Sequence, residues 1–494
     1  MKIETLLASD LYQYTMSHVF YENKMEEKMA IFNMFFRKAP DNNGFAIVSG
    51  IEQVVEMILS MGKYEKQYYK KFLQDDRYDE LCEYLSKTTF KGEVRAMQEG
   101  EIAWPNQPII TVKAPLIQGQ ILETPMLSIL NHQMAIATKA SRVVRSTKKP
   151  VSEFGTRRAH GTTAGLYGGK AAYIAGCVST SNTLSKIKLN IPCTGTMAHS
   201  YVTAFGCGPK KEFEAFDKYI KSHKGETLIM LIDTYDTIKC GLKNAIKAFK
   251  ENGIDDNYSG IYGVRLDSGD LTYLSKQCRK ELDQAGFKKA IISATNGLDE
   301  YIIPALEAEG ACIDMYGVGD AIATSKHNPC FGGVYKLVQI DNEPVIKLSE
   351  DKIKVTDPGD LVTLRIIDKK TKKAIADVTC LMNDATMKII MLGEELLLVD
   401  QQDKYKETKL LKDSYSYYQL QSTIIADFVN IYYDILFHPE ISRKRCKETM
   451  ELFDSSHLRL LNPHVYKVNI SDELYDLKCG LMNKIKEELN DIEE

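Results

Sequence analysis

Apolar and polar residues alternate with three different rhythms along the chain, and each rhythm predicts its own architecture. Near the start, Ser9 and Asp10 are good helix N-caps, with apolar residues following at Leu11, Met16 and Phe20, so a short helix is expected from about Asp10. A strand-like run AIFNMFF (30–36), the turn DNNG and a second strand FAIVSG come next. Residues 51–90 read as helical and 91–115 as short strands interrupted by Pro105, Pro108 and Pro115. The stretch 120–146 reads as one long helix or two.

From about Pro150 the rhythm becomes strand, loop, helix, repeated. LIMLI (228–232) ends at Asp233 and precedes a helix with Ile238, Leu242, Ala245, Ile246 and Phe249 on one face. IYGVRL (261–266) ends at Asp267 and precedes one carrying Leu271, Leu274, Cys278 and Leu282. AIISA (290–294) leads into Leu298, Ile302 and Ala305, and CIDMYG (312–317) follows. Strand ends recur about every 22 to 34 residues, as right-handed βα units closing a parallel barrel require. After about Tyr335 short strands return (VYKLVQI, PVIKL, VTLRII, ADVTCLM), then helix from about Glu473. The fold class is therefore α/β: an irregular parallel β/α barrel over 146–335, with an α+β domain built from the N-terminal segment 1–145 and the C-terminal segment 336–494 packed on it. No Ser/Gly-rich linker sets that last segment apart as a tethered module.

Composition narrows the class of partner. The 494 residues carry 63 basic and 67 acidic side chains, net charge −4, with no run of five Lys or Arg, so nucleic acid and anionic membranes are poor partners. No apolar stretch approaches membrane-spanning length, and MKIETLLASDLYQYTM lacks the features of a signal peptide, which together point to the cytoplasm. Eleven scattered cysteines with no C-x-x-C pair argue for reduced, mostly buried thiols rather than a zinc ribbon or a disulfide frame.

In a parallel barrel the reactive groups sit where strands end. That rule selects Arg157, Thr180, His199, Asp233, Arg265, Asp267, Asn296 and Gly319. Two turns stand out, EFGTRR (153–158) and GTMAHS (195–200): glycine and hydroxyl residues let backbone approach phosphate oxygens, arginine forks neutralise them, and a neutral imidazole is a competent nucleophile toward phosphorus. Each has a plainer reading. A lone His is usually packed or solvated, adjacent arginines such as Arg157 and Arg158 are usually solvated, and Asp233 and Asp267 could be helix N-caps. Arg265 is harder to dismiss, because an arginine inside IYGVRLD points a charge into the barrel unless an anion meets it. Gly317 and Gly319, opening a helix, could form a phosphate cradle.

Six motifs in order, DLYQYTM (10–16), EFGTRRAHG (153–161), GTMAHS, LIDTYD (231–236), GVRLDSGDL (263–271) and FGGVYKL (331–337), closely resemble those of the nicotinate phosphoribosyltransferase family. The resemblance implies transfer of phosphoribose from phosphoribosyl pyrophosphate to nicotinate, coupled to ATP, as the first step of NAD synthesis from nicotinate. It implies that His199 is phosphorylated by ATP and that Asp233 orients its imidazole. Thr196 then falls on a nicotinate contact, Arg265 on the reader of the nicotinate carboxylate, Arg157 on a phosphate ligand, and Asp267 near the ribose hydroxyls. Thr180 and Gly319 complete the substrate-binding set, Gly319 through its backbone. Tyr12 is implied to stack on the pyridine ring, within its own subunit or across the interface of a homodimer. One departure stands at Asp320, where many relatives carry Thr or Glu; its carboxylate would repel a phosphate. With no GxxxxGK[ST] the ATP is not held by a Walker loop, and Mg²⁺ is expected to arrive on substrate phosphates, with no protein metal site.

Two other readings remain open from the sequence. One keeps the fold and exchanges the substrate for nicotinamide or quinolinate; the other is a catalytically idle barrel that senses phosphorylated metabolites and has no need of His199 beside Asp233.

Overall fold

The computed structural model describes residues 5–349, 354–382, 384–400, 407–426, 429–430 and 437–493. The chain divides into two compact units, Met1–Ala135 with Cys330–Glu494, and Ile136–Pro329.

In the first unit the run 30–36 becomes the strand Met29–Phe36, buried along nearly its whole length. It pairs antiparallel with Ile110–Pro115 on one side and with the distant Gly333–Ile340 on the other, at the heart of a seven-stranded sheet. Gln421–Ala426 joins the same sheet against Glu93–Met97, so the C-terminal segment supplies strands to a sheet begun by the N-terminal one. A second, six-stranded sheet holds Leu361–Asp368 and Ala374–Leu381. Its buried Arg365 donates to Asp377, Glu101 and the Ile102 carbonyl at 2.6–2.9 Å, which satisfies a guanidinium that would otherwise be costly to bury. The expected helices 51–90 appear as Ile51–Ile58, Lys66–Lys70 and Asp79–Lys87, and 120–146 as Glu123–Arg145 after the short Leu116–Gln120.

Some expectations are corrected here. PVIKL belongs to a strand only through its first residue, in Glu343–Pro344. The helices Ala385–Leu392 and Pro439–Leu452 were not anticipated; Asp384 and His438 cap them by accepting backbone N–H groups. The first helix, Leu11–Glu22, buries Gln13, Tyr14, Ser17 and His18 rather than the Leu11, Met16, Phe20 set. Gln13 is held there by hydrogen bonds with Glu123 and Gln120, so a polar network chooses the face.

The second unit carries the six parallel strands. In spatial order they are Ser179–Thr180, Val151–Glu153, Met315–Val318, Ile291–Thr295, Tyr262–Leu266 and Leu228–Leu231. The irregular parallel barrel is thus realised as a half-barrel, with its edges at Ser179–Thr180 and Leu228–Leu231. Outside it, Leu242–Glu251 buries Leu242, Ala245, Ala248 and Phe249, and Leu271–Gln284 buries Ser275, Cys278 and Leu282. These side chains share one core with Met230, Val264, Leu266 and Ile292 from the strands. Because every strand runs the same way, the residues just beyond their C-terminal ends are gathered along one rim.

Candidate active site

Asp233 and Asp267 lie just beyond two adjacent strands, and neither is a helix cap. Capping falls to Asp236, which accepts from the Ile238 and Lys239 N–H groups, and to Asp270, which accepts from Tyr273 N–H. This leaves Asp233 and Asp267 to serve the rim. Asp233 Oδ2 accepts from Asp267 N–H at 2.9 Å and from the Ser268 hydroxyl at 2.6 Å, which fixes its carboxylate. Its Oδ1 is buried and takes no hydrogen bond from the described residues. Asp267 accepts from the Thr295 hydroxyl at the end of the next strand.

His199 does not stand at a strand end, as the rim rule expected. After Thr180 the chain makes a single parallel bridge to Cys193, crosses a loop through Gly195 and Thr196, and opens the short helix His199–Ala204 at the imidazole. GTMAHS has too little apolar character to form a strand. Nδ1 of His199 lies 3.1 Å from the Thr234 hydroxyl, and Nε2 faces two carboxylates, Asp233 Oδ1 at 3.9 Å and Asp267 Oδ2 at 3.8 Å. The imidazole is thus oriented directly by Thr234, while Asp233 and Asp267 both stand at ion-pair distance to stabilise it when it is cationic. Its side chain is 43% exposed, so an incoming phosphate can reach it.

Arg265, in the Tyr262–Leu266 strand, donates from Nη1 to Thr196 Oγ1 at 2.9 Å and from Nη2 to the Met197 carbonyl at 2.8 Å. It forms no ion pair among the described residues, and its Nε–H is buried without a partner. Burial lowers its pKa against the pull of Asp267 and Asp233, and the positive charge of Arg157 lowers it further. A mostly buried cation with a spare donor and a second cation within electrostatic range is a site suited to an anion.

Arg157 and Arg158 occupy the 3₁₀ turn Thr156–Arg158, both exposed. Gly155 sets that turn: a Cβ there would lie 2.4 Å from Ala323 Cβ and 2.5 Å from the Gly319 carbonyl, so only glycine lets the two rim turns touch. Gly319 precedes a helix of only four residues, Asp320–Ala323, and its carbonyl accepts from Ile322 and Ala323 N–H. Asp320 is exposed. Thr180 is fully buried, its hydroxyl donating to Glu153 and accepting from Asn182 N–H, so it braces the strand ends from within. Asn296 takes a left-handed conformation, φ 73°, directly after its strand. Tyr12 belongs to the other compact unit, on the Leu11–Glu22 helix, and is 48% exposed.

Sequence reasoning missed Thr234, Ser268, Thr295 and Glu153. The first two follow Asp233 and Asp267 immediately, and a hydroxyl after each rim aspartate was the available signal. Glu153 is buried at its strand end, takes hydrogen bonds from Gly155 N–H and Thr180, and burial raises its pKa.

Known proteins carry the same organisation. Residues 7–131 match the nicotinate phosphoribosyltransferase N-terminal domain, 150–381 the nicotinate phosphoribosyltransferase family, and 362–478 the corresponding C-terminal domain. The chain is 36% identical to nicotinate phosphoribosyltransferase of Bacillus subtilis, covering 98% of this chain and 96% of the relative. It is 30% identical to that of Dictyostelium discoideum, covering 96% and 87%. The crystal structure of human nicotinic acid phosphoribosyltransferase superposes with a TM-score of 0.82 at 25% identity, covering 96% of this chain and 99% of that one. With all three family segments in order and relatives matched almost end to end, the chain belongs to the nicotinate phosphoribosyltransferase family.

Proposed function

We propose that this chain joins nicotinate to phosphoribosyl pyrophosphate, giving nicotinate mononucleotide and pyrophosphate, and couples that transfer to hydrolysis of ATP through a phosphohistidine at His199. The observation that carries the reading is Arg265, a mostly buried guanidinium with no ion-pair partner among the described residues, hydrogen-bonded to Thr196 in the same motif as His199. A single ring carboxylate matches one spare guanidinium; the second carboxylate of quinolinate would compete with phosphate for Arg157, and nicotinamide would leave the charge of Arg265 unanswered.

Each role rests on the family resemblance, and the positions of the residues support it. The pyridine nitrogen attacks the anomeric carbon of phosphoribosyl pyrophosphate as the bond to pyrophosphate breaks, so the protein must align two substrates and offset charge on the leaving group. Arg265 and Thr196 hold nicotinate, Arg157 meets phosphate, the Gly319 backbone borders the phosphates, and Asp267 faces the ribose hydroxyls. An imidazole nitrogen of His199 attacks the γ-phosphorus of ATP, ADP leaves, and Asp233 with Asp267 stabilises the ring's positive charge. Mg²⁺ enters with the substrate phosphates, as that ion commonly does. Thr180 acts through the Glu153 brace rather than by touching substrate. Leu11, Tyr12 and Val19, at 55, 48 and 53% exposure on one helix face, support a homodimer in which Tyr12 stacks on the pyridine ring of a shared site. No described helix is long and apolar enough to cross a membrane; the chain is assigned to the cytoplasm, where its phosphorylated substrates reside.

The test is a substrate panel. Nicotinate, nicotinamide and quinolinate are each supplied with phosphoribosyl pyrophosphate, with and without ATP, and mononucleotide is quantified by chromatography. Nicotinate alone should be turned over efficiently, and faster with ATP. Preference for either other ring, or no product with any, contradicts the reading.

A further inference from the structure

The unit formed by Met1–Ala135 and Cys330–Glu494 encloses a cavity of about 460 Å³ that the transfer reaction does not use. Its volume lies within the range of small-molecule sites. One wall is the face of the seven-stranded sheet opposite the main core: Phe32, Met34 and Phe36 point into that core, whereas the alternate residues Asn33 and Phe35 line the cavity. The pairing of Met29–Phe36 with Gly333–Ile340 slips between Ile31 and Phe32, whose partners are Gln339 and Leu337. Val338 is the extra residue of that bulge and also lines the cavity. The opposite wall is one stripe of the Asp472–Glu493 helix, Tyr475, Lys478, Cys479 and Met482, at spacings of three and four.

Asn33 marks the space as a binding site. It is 2% exposed; its Oδ1 accepts from the Thr111 hydroxyl at 2.8 Å, while its Nδ2 has no partner among the described residues. A buried amide donor without an acceptor is destabilising unless something fills the place of water. Among the described residues, Asp357 and Lys478 are the charged lining residues, and they pair with each other at 2.6 Å, leaving no net charge between them for an ionic ligand. Apart from Asn106, the remaining described lining is largely apolar and partly aromatic, from Phe35, Leu361, Ile470 and Tyr475.

We infer that this cavity is a second ligand site, selective for an uncharged, planar, largely apolar small molecule whose carbonyl or ring nitrogen accepts a hydrogen bond from Asn33. Its rings lie between Phe35 on the sheet and the Tyr475 stripe of the helix, and its acceptor faces Asn33. None of the lining residues belongs to the candidate active site, and the paired Asp357 and Lys478 offer no spare charge to nicotinate or a phosphate ester.

The probe is isoquinolin-1(2H)-one, a neutral bicyclic lactam, followed by saturation-transfer NMR on the full-length protein. The expected result is a transfer signal unaffected by excess nicotinate, weakened about tenfold in apparent affinity by Asn33→Leu through loss of one hydrogen bond, and abolished by Met482→Trp, which fills the space. Nicotinate turnover in both variants reports that they are folded, and Val338→Phe provides a second filling variant should Met482→Trp fail to accumulate. No signal with the wild type, displacement by nicotinate, or equal binding by the wild type and the filling variants would each overturn the inference.

Discussion

Replacing Arg265 with glutamine removes a mostly buried cation at the rim while keeping a donor of similar reach. In the wild type, Nη1 and Nη2 are already engaged by Thr196 and the Met197 carbonyl, and the buried Nε–H is unpaired. A ring carboxylate docking on this guanidinium gains a charge-assisted hydrogen bond, of about 1.5–3 kcal/mol. It also answers a charge that burial already disfavours. Losing both in Arg265→Gln should cost about 3 kcal/mol in transition-state binding, or roughly 10²-fold in kcat/KM for nicotinate. Nicotinamide never receives that benefit, so its kcat/KM should fall far less and the preference for acid over amide should narrow by a similar factor. Steady-state kinetics with nicotinate, nicotinamide and phosphoribosyl pyrophosphate as varied substrates measures all three. If the variant loses affinity for phosphoribosyl pyrophosphate and keeps its preference for the acid, Arg265 belongs to the phosphate site and Arg158 becomes the next candidate for reading the carboxylate.

Three further outcomes follow. His199→Ala should abolish nicotinate-dependent ATP hydrolysis while leaving slow, ATP-independent formation of mononucleotide, and Asp233→Asn should lower coupled turnover by about tenfold, from loss of about 1.5 kcal/mol of counter-charge; both are read by assaying ADP and mononucleotide in parallel. Glu153, with its pKa raised by burial, holds its proton to higher pH in the folded chain than in the unfolded one. Its contribution to stability is therefore complete below the ordinary carboxyl range and is lost as pH rises through the raised folded value, so Glu153→Gln should gain melting temperature relative to the wild type as pH rises above the ordinary carboxyl range; a difference that does not change with pH contradicts this. Brief N-ethylmaleimide treatment at pH 7.5 should modify exposed Cys193, Cys207 and Cys330 and spare Cys240 and Cys278, whose thiols are both pushed up to about 12, chiefly by burial; peptide mapping reads the order.

Three of the barrel strands were legible because each is a short, predominantly apolar run followed by a helix. Leu228–Leu231, Tyr262–Leu266 and Ile291–Thr295 all fall within a residue or two of their expected bounds. His199 was legible as a residue and not as a position, since a loop and a one-turn helix carry no periodic signal. The division of labour between Asp233 and Asp236, or Asp267 and Asp270, was equally hidden: aspartates three residues apart look alike until the backbone shows which one accepts the helix N–H groups. Least readable was the pairing of Met29–Phe36 with Gly333–Ile340, and with it the bulge at Val338, because registers between strands so distant in sequence depend on the whole sheet.

The central claim, that His199 carries a phosphoryl group between ATP and the coupled transfer, is tested most directly by trapping it. Wild-type protein is incubated with ATP and Mg²⁺, quenched in alkali, digested, and examined by peptide mass spectrometry. The account predicts an acid-labile, base-stable phosphoryl group on the peptide containing His199, discharged when nicotinate and phosphoribosyl pyrophosphate are added and absent from His199→Ala. Intact nicotinate-dependent ATP turnover with no phosphoryl group on that peptide, or with one on another residue, would contradict it.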